Sequence, residues 1–299
     1  MNIRKSTSSD FSKIKSLWQE VFGDSEEYIT RFINHFGIEN CYVCETNGEM
    51  AAMAFAIPAT LSKFILNSQN RRLKPTANKS QISNLISNIS NLISKYIYAC
   101  ATKQQYRKKG IMKNLLEFIH NNACNNENVE ALFLRAANEN LANYYRKLGF
   151  DDFFYRNEII FNRKERKEIA KGAKNLIPHT SNLIPHTAYH KKRLQKLEKN
   201  CFVNWNEDFF RFINDDKIQF CECENSIFSF RLENDIIIVD ELLGELPESE
   251  IADFLFEMYP DVKKIEFYLP GNDLCCGQLK QCNPLNENIG NGYFAFAME

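Results

Sequence analysis

The sequence predicts an α+β protein, because amphipathic helices, a β-hairpin and buried strands can all be recognised along the chain. The clearest pattern lies at residues 95–122, where a short apolar run typical of a buried strand precedes an amphipathic helix. A second observation is the Asn47-Gly48 pair between two strand-like runs, since Asn-Gly is the strongest short signal for a hairpin. Two capped amphipathic helices are also predicted, around residues 11–21 and 25–36.

A basic turn connects the strand and the helix of residues 95–122. Arg107, Lys108 and Lys109 precede Gly110, which stands at the predicted N-terminus of the helix. A helix N-terminus presents several unpaired backbone N–H groups and the positive end of the helix dipole. Three adjacent cations increase the attraction for an anion, so the turn is predicted to bind one, such as a pyrophosphate.

The turn resembles the acetyl-coenzyme A motif of the GNAT N-acetyltransferases, in which Arg/Gln-x-x-Gly-x-Gly/Ala joins a strand to a helix. Arg107-x-x-Gly110-x-Met112 fits this motif except at Met112, where Gly or Ala is usual. Large apolar residues stand at that position in the two-domain, Eis-like bacterial branch of the family. Downstream, an Asn-initiated helix ends in a Tyr-x-x-x-Gly-Phe block that begins at Tyr145. This block has the order and distance that the family shows, so it strengthens the resemblance.

The resemblance implies a fold, an activity and a set of site residues. The fold is a mixed, mostly antiparallel central sheet flanked by helices. The reaction is direct transfer of an acetyl group to a primary amine from acetyl-CoA, the co-substrate, without a metal. Tyr145 matches the family's general acid, which protonates the thiolate leaving group. Tyr144 is the alternative, because adjacent helical residues point about 100° apart and only one can face the sulfur. The residues implied in binding acetyl-CoA are Cys100, Ala101, Thr102, Arg107, Lys108, Lys109, Gly110, Ile111, Met112 and Asn138.

The resemblance also suggests how the chain is divided. Residues 1–162 are predicted to form the GNAT domain, interrupted by a low-complexity insertion at about 62–94. Residues 163–188, which contain NLIPHT twice, are predicted to be a linker. Residues 189–299 repeat the order of helices and strands and resemble a second, degenerate GNAT-like domain. Its corresponding turn (241–248, ELLGELPE) is acidic and would repel a pyrophosphate. We therefore expect one active site per chain, with the second domain lining part of the acceptor groove.

Composition narrows the functional classes. The formal net charge of −1 gives no support to binding of nucleic acid or of an anionic membrane. No apolar run has the length of a membrane span, and residues 1–10 lack the apolar core of a signal peptide, so a cytoplasmic protein is expected. The ten cysteines show neither a disulfide-like framework nor zinc-finger spacing. They are expected to be buried, reduced thiols, with no metal bound.

Several points stay open at the level of sequence. The base that deprotonates the amine could be Glu45, Glu49, the C-terminal carboxylate of Glu299 or water. The expected partner is a small-molecule or peptide amine, but a polyamine or a protein lysine would serve equally, and the oligomeric state is not indicated. One alternative is a regulatory module that has the same fold and binds coenzyme A but catalyses no reaction. Another is tRNA-dependent aminoacyl transfer, which would need a basic groove.

Overall fold

The protein is described here by a computed structural model that covers residues 1–64, 89–164, 181–197, 201–215, 217–282 and 292–296. Its helices and strands, in chain order, are β1 (Asn2–Lys5), α1 (Phe11–Phe22), α2 (Glu26–Phe36), β2 (Cys41–Thr46), β3 (Glu49–Phe64), β4 (Ile89–Thr102), α3 (Ile111–Asn126), β5 (Ala131–Leu134), α4 (Glu139–Arg146), β6 (Asp151–Asn162), β7 (Ser181–Leu183), α5 (His186–Lys196), β8 (Cys201–Asn204), α6 (Glu207–Asn214), β9 (Gln219–Cys223), β10 (Ser226–Glu233), β11 (Ile236–Leu243), α7 (Glu248–Met258), β12 (Lys264–Pro270), β13 (Leu274–Gln281) and β14 (Gly292–Tyr293).

The described strands form one continuous mixed sheet. Its main path follows the order β1-β2-β3-β4-β5-β13-β6-β12-β11-β10-β9-β7. Most neighbours along this path are antiparallel, whereas β4 with β5 and β11 with β12 are parallel. β13 lies between β5 and β6 and pairs antiparallel with both, so a strand from late in the chain completes the sheet of the first half. The predicted α+β fold with a mixed, mostly antiparallel sheet is confirmed.

The predicted hairpin is also confirmed. β2 and β3 pair antiparallel around a turn in which Asn47 and Gly48 both have a positive φ. β3 and β4 stay paired well beyond the predicted strands, so residues 62–64 and 89–94 of the predicted insertion continue these two strands. The rest of that segment, residues 65–88, lies outside the described residues.

The C-terminal part follows the predicted order of elements with two corrections. The sequence predicts a loop at Cys275 and Cys276, whereas the structure places both in β13. A bulge before Gly277 breaks the regular alternation on which strand prediction depends. The sequence also predicts a final strand at 292–298. This strand is too long, because only β14 is a strand among the described residues of that range. Within the predicted linker 163–188, the structure places β7 and the start of α5.

One cysteine pair contradicts the expectation of reduced thiols. Cys124, on α3, and Cys282, directly after β13, form a disulfide with a Cα–Cα distance of 5.3 Å. The two cysteines are 158 residues apart in the sequence, and the insertion of β13 beside β5 brings them together. Sequence spacing therefore carried no signal for this bond. Four of the other described cysteines are buried free thiols, as expected, whereas Cys100, Cys275 and Cys276 are free thiols that are only partly buried.

Helices cover the sheet around three hydrophobic clusters. Along β2, Cys41 and Val43 face the cluster under α1, α2 and α6, while Tyr42 and Cys44 face the cluster under α3. This alternation is the two-residue period of a strand, so the two clusters lie on opposite faces of the sheet. The third cluster lies between α7 and the C-terminal strands. Among the described residues, no helix is long and apolar enough to cross a membrane.

Glu127, directly after α3, connects that helix to two strands. The Lys5 Nζ lies 2.7 Å from its Oε1, and the buried Lys95 pairs with its Oε2. Burial raises the pKa of Glu127, but hydrogen bonds from the two lysines outweigh burial and lower the pKa from 4.5 to about 2. Because the pKa is lower in the folded than in the unfolded state, this carboxylate stabilises the fold above about pH 4.5, and the contribution is lost as the pH falls towards about 2.

We expect the free energy of unfolding to fall more steeply on acidification in the wild type than in Glu127→Gln. The variant lacks the titrating carboxylate but keeps the shape of the side chain. Urea unfolding at about pH 6 and about pH 3 measures the difference. An equal fall in both proteins would contradict this account of Glu127.

Candidate active site

β4 and β5 diverge and leave a cleft in the sheet. They pair only where Ser94–Tyr96 lies beside Ala131–Phe133. Ala99 has a φ of 50° and lies in a bulge of β4 opposite β3, and a bulge bends the strand that carries it. The cleft has a volume of about 490 Å³. Its lining residues are Trp18, Phe22, Asp24, Tyr96, Ile97, Tyr98, Ala99, Cys100, Leu134, Arg135, Ala136, Ala137, Leu141 and Tyr145.

The basic turn follows the end of β4. Lys108 and Gly110 both adopt the left-handed conformation, with φ of 61° and 76°, and α3 begins at the next residue. A Cβ on Gly110 would meet no atom within 4 Å, so the backbone conformation, not lack of space, favours glycine here. Arg107, Lys108 and Lys109 are exposed, and the Arg107 Nε donates to the Thr102 carbonyl at 3.0 Å. Because the first N–H groups of α3 have no partners within the helix, the turn offers amides and cations together.

Tyr145, on α4, lines the cleft and is only 7% exposed. Its hydroxyl lies beside the Cys100 thiol on β4. Burial, together with the neighbouring Cys100, raises the pKa of Tyr145 well above 10, so the hydroxyl stays protonated at neutral pH. Burial likewise raises the pKa of the Cys100 thiol to about 12. Tyr144 is half-buried and is not part of the cleft lining, so the geometry separates the two tyrosines.

The remaining predicted site residues have varied surroundings. The side chain of Ala101 is fully buried in the core, which leaves only its backbone to meet a ligand. Ile111 is buried under α3, and Met112 packs partly buried against the same cluster. The Asn138 side chain caps α4, since its Oδ1 accepts a hydrogen bond from the Leu141 N–H at 3.0 Å. Asn138 therefore has a structural role whether or not it also meets a ligand.

Two charged residues of the cleft, Asp24 and Arg135, were missed by the sequence reasoning. The Asp24 carboxylate accepts a hydrogen bond from the Trp18 Nε1 at 2.7 Å. Asp24 follows the glycine that ends α1, and it reaches the cleft because α1 packs against β4. Neither residue stands in a recognisable motif, so only the tertiary packing reveals them.

The glutamates named from the sequence as candidate bases either form salt bridges or lie outside the described residues. Glu45 pairs with Arg4 at 2.9 Å, and Glu49 pairs with Lys103 at 2.6 Å. Neither glutamate is part of the cleft lining. Glu299 lies outside the described residues.

β13 supports the helix that carries Tyr145. The buried Gln278 donates through its Nε2 to the Ala142 carbonyl of α4 at 3.2 Å and to the Asp152 Oδ1 at 3.1 Å. The Lys280 Nζ donates to the Leu148 carbonyl at 2.7 Å, just after the helix. Residues from late in the chain therefore hold one wall of the cleft.

Comparison with known proteins relates part of the chain to a known protein family. Residues 31–163 match the family model described as "Acetyltransferase (GNAT) domain". This part of the chain is therefore similar to a GNAT acetyltransferase domain. The basic turn, Tyr145 and most of the cleft lining lie within the matched residues, whereas Trp18, Phe22 and Asp24 precede them. No curated protein sequence matched the chain.

Solved structures extend the likeness beyond the matched residues. A GCN5-related N-acetyltransferase from Kribbella flavida aligns with a TM-score of 0.66 at 12% identity, covering 94% of this chain and 72% of that one. A probable N-acyltransferase from Enterococcus faecalis V583 aligns with a TM-score of 0.69 at 11% identity, covering 94% and 72%. Eis1 from Mycobacterium abscessus aligns with a TM-score of 0.64 at 11% identity, covering 95% and 74%. At such low identity the likeness shows the fold alone, and the fold includes the C-terminal part of the chain.

Proposed function

We propose that the protein is an N-acetyltransferase that moves an acetyl group from acetyl-CoA to a primary amine by direct attack. The observation that carries this proposal is the arrangement along β4. The cleft contains a protonated, buried tyrosine beside Cys100. The cationic turn begins at Arg107, five residues after Thr102, the last residue of the same strand, and leads to the first amides of α3. A thioester with a long arm and a pyrophosphate matches both features.

The residues proposed to bind acetyl-CoA follow one another from the end of β4 through the basic turn to the start of α3. The amides at the start of α3, with Arg107, Lys108 and Lys109, would hold the pyrophosphate. The backbone of residues 100–102 has no partner in β5 and would pair with the amide groups of the pantetheine arm. This pairing fixes the thioester carbon near the amine and so lowers the entropic cost of the reaction.

Tyr145 would act as the general acid. When the amine nitrogen bonds to the thioester carbon, the C–S bond breaks and the sulfur takes the electron pair. The Tyr145 O–H then donates its proton to that sulfur, the nitrogen loses its extra proton to water, and the tyrosinate regains a proton from water. The raised pKa of Tyr145 keeps this proton on the hydroxyl at neutral pH, so it is present when the sulfur leaves.

The second half of the chain is proposed to bind no coenzyme A. The amides of Glu245 and Leu246, in the turn that corresponds to the basic one, both donate to the Ser226 Oγ at 3.0 Å. Glu241 is fully buried and paired with Arg193. Because these groups are already satisfied, a pyrophosphate would gain little there, which supports one site per chain.

Calorimetric titration of acetyl-CoA into the wild type, Gly110→Glu and Gly110→Ala tests the proposed site. We expect about one acetyl-CoA per chain in the wild type and no measurable heat in Gly110→Glu, because its carboxylate would repel the pyrophosphate. Gly110→Ala introduces the same left-handed strain, about 1–2 kcal/mol, without the charge. It should therefore keep measurable binding.

Two outcomes would count against the proposal. If the wild type gives no heat and acetyl-CoA does not raise its unfolding temperature, the enzyme function fails. If Gly110→Glu binds acetyl-CoA as tightly as Gly110→Ala does, its carboxylate is not near the pyrophosphate, and the pyrophosphate lies elsewhere.

Asp24 is proposed to attract the protonated amine to the cleft. Asp24→Asn keeps an oxygen that can accept from the Trp18 Nε1 but removes the charge. We expect the KM for the amine to rise about tenfold, with a smaller change in kcat. Glu27→Gln, an exposed carboxylate on α2 outside the cleft, is the matched control. Equal KM values for Asp24→Asn and the wild type would exclude this role.

A further inference from the structure

A histidine and the two disulfide cysteines converge beside the C-terminal end of α3. His120 and Cys124 are four residues apart on α3, so they lie on the same face of the helix. Cys282 approaches from the other side, directly after β13. One potential ligand atom from each of the three residues lies within 4.8 Å of the others, and all three side chains are partly exposed. The group is outside the cleft and has no part in the proposed transfer.

Two further contacts fix the group. The His120 Nε2 lies 3.3 Å from the Gln281 carbonyl, which accepts a hydrogen bond in the tautomer that carries the proton on Nε2 and the lone pair on Nδ1. Histidine ligands of metals are commonly oriented by such a hydrogen bond from the second ring nitrogen to a carbonyl. The Cys282 N–H donates to the Glu130 carbonyl at 2.9 Å, which holds the backbone of this cysteine beside β5.

We propose that reduction of the Cys124–Cys282 disulfide converts this group into a zinc site. Two thiolates and one imidazole form a donor set that zinc prefers over magnesium or calcium, which take oxygen ligands. Three protein ligands leave a fourth position for water. Ligands bound tetrahedrally at Zn–S distances of about 2.3 Å lie about 3.8 Å apart. The three potential ligand atoms lie within 4.8 Å of one another, and reduction would let the two bonded sulfurs separate to this spacing.

The chemistry balances with a dithiol as the reductant. The dithiol gives two electrons and two protons to the disulfide, which opens to two thiols, and the dithiol becomes a disulfide. Zinc then replaces the two thiol protons, which pass to water. In either state α3 stays linked to the segment after β13, by a covalent bond or by the metal.

The test uses the full chain and zinc chloride, with cobalt(II) as a spectroscopic substitute. The oxidised and the anaerobically reduced wild type are titrated in competition with a chromophoric chelator. Cys124→Ser/Cys282→Ser removes the proposed thiolates. Cys275→Ser/Cys276→Ser removes a neighbouring, similarly exposed pair from β13 and is the matched control. His120→Gln keeps both thiols and the ability to form the disulfide.

We expect the reduced wild type and the Cys275/Cys276 control to bind one metal ion more than Cys124→Ser/Cys282→Ser. The cobalt form should show thiolate-to-metal absorption that the oxidised wild type lacks. His120→Gln should bind this metal at least about tenfold more weakly, since it loses one of three protein ligands. The proposal is overturned if the reduced wild type binds no more metal than the Cys124/Cys282 variant, or if the oxidised protein binds equally. Neither result depends on acetyl-CoA or on acetyl transfer.

Discussion

Replacing Tyr145 by phenylalanine is expected to lower kcat by about 100-fold or more, the usual contribution of a positioned general acid. The variant keeps the aromatic ring, which packs against Phe150 and the cluster under α3, so the fold should persist. It loses only the hydroxyl beside Cys100, and the departing thiolate must then take its proton from water. Affinity for acetyl-CoA, measured by calorimetry, should stay within about threefold of the wild type, because the pyrophosphate contacts are unchanged.

Tyr144→Phe is the matched control for this experiment. Tyr144 is the next residue on the same helix but does not line the cleft, so its variant should lose less than about threefold in kcat. Release of coenzyme A thiol in the presence of a panel of amines provides the rate. If Tyr144→Phe shows the large loss in kcat, Tyr144 and not Tyr145 is the general acid. If the wild type binds acetyl-CoA but acetylates no amine in a broad panel, the coenzyme A-binding regulatory module becomes the better description.

The pH dependence follows from the same residue. An acid acts in its protonated form, so the contribution of Tyr145 is present below its pKa and is lost only as the pH rises through that pKa. Because burial places the pKa of Tyr145 well above 10, the wild-type rate should show no loss of a catalytic acid between about pH 7 and about pH 9.

Replacing Arg193 by methionine is expected to destabilise the protein by about 3–5 kcal/mol, because it leaves a buried carboxylate without its partner. The Arg193 Nε lies 2.8 Å from the Glu241 Oε2, and both side chains are fully buried. The guanidinium also donates to the Val203 carbonyl at 3.2 Å, and the Tyr189 hydroxyl donates to Glu241 at 3.0 Å. This network joins α5, β8 and β11, so its loss should affect the whole second half of the chain.

The double variant Arg193→Met/Glu241→Leu separates burial of a lone charge from loss of packing. Because no uncompensated charge remains, it should recover a large part of the stability lost in the single variant. Arg211→Met is the surface control, since Arg211 pairs with Asp208 at 3.1 Å and both side chains are more than half exposed. It should change stability by less than about 1 kcal/mol. Urea unfolding gives the free energy of unfolding of all three variants. If Arg193→Met is as stable as Arg211→Met, the argument is contradicted.

The local parts of the fold could be predicted from the sequence, and the long-range parts could not. The hairpin at Asn47 and Gly48 and the helix that begins after Gly110 follow from short patterns whose physical causes are local. The basic turn was predicted for the same reason. A strand placed by neighbours far away in the sequence, such as β13, has no such signal, because its bulge hides the alternation.

The candidate site shows the same division. Tyr145 and the turn lie in motifs with fixed spacing, so the resemblance to a family identified them. Asp24 reaches the cleft through the packing of α1, and the Cys124–Cys282 bond depends on where β13 inserts. The four-residue spacing of His120 and Cys124 was visible in the sequence, but the third member of that group was not.

The position of β13 has a consequence for how the protein is made. On the ribosome, β5 and β6 emerge more than 100 residues before the strand that separates them, and they cannot pair with each other in their final places. The edges of β5 and β6 that pair with β13 therefore stay unpaired and exposed to other chains until residue 281 has left the exit tunnel. The sheet becomes continuous only after β13 has been synthesised. Synthesis of the matched residues 31–163 is not sufficient.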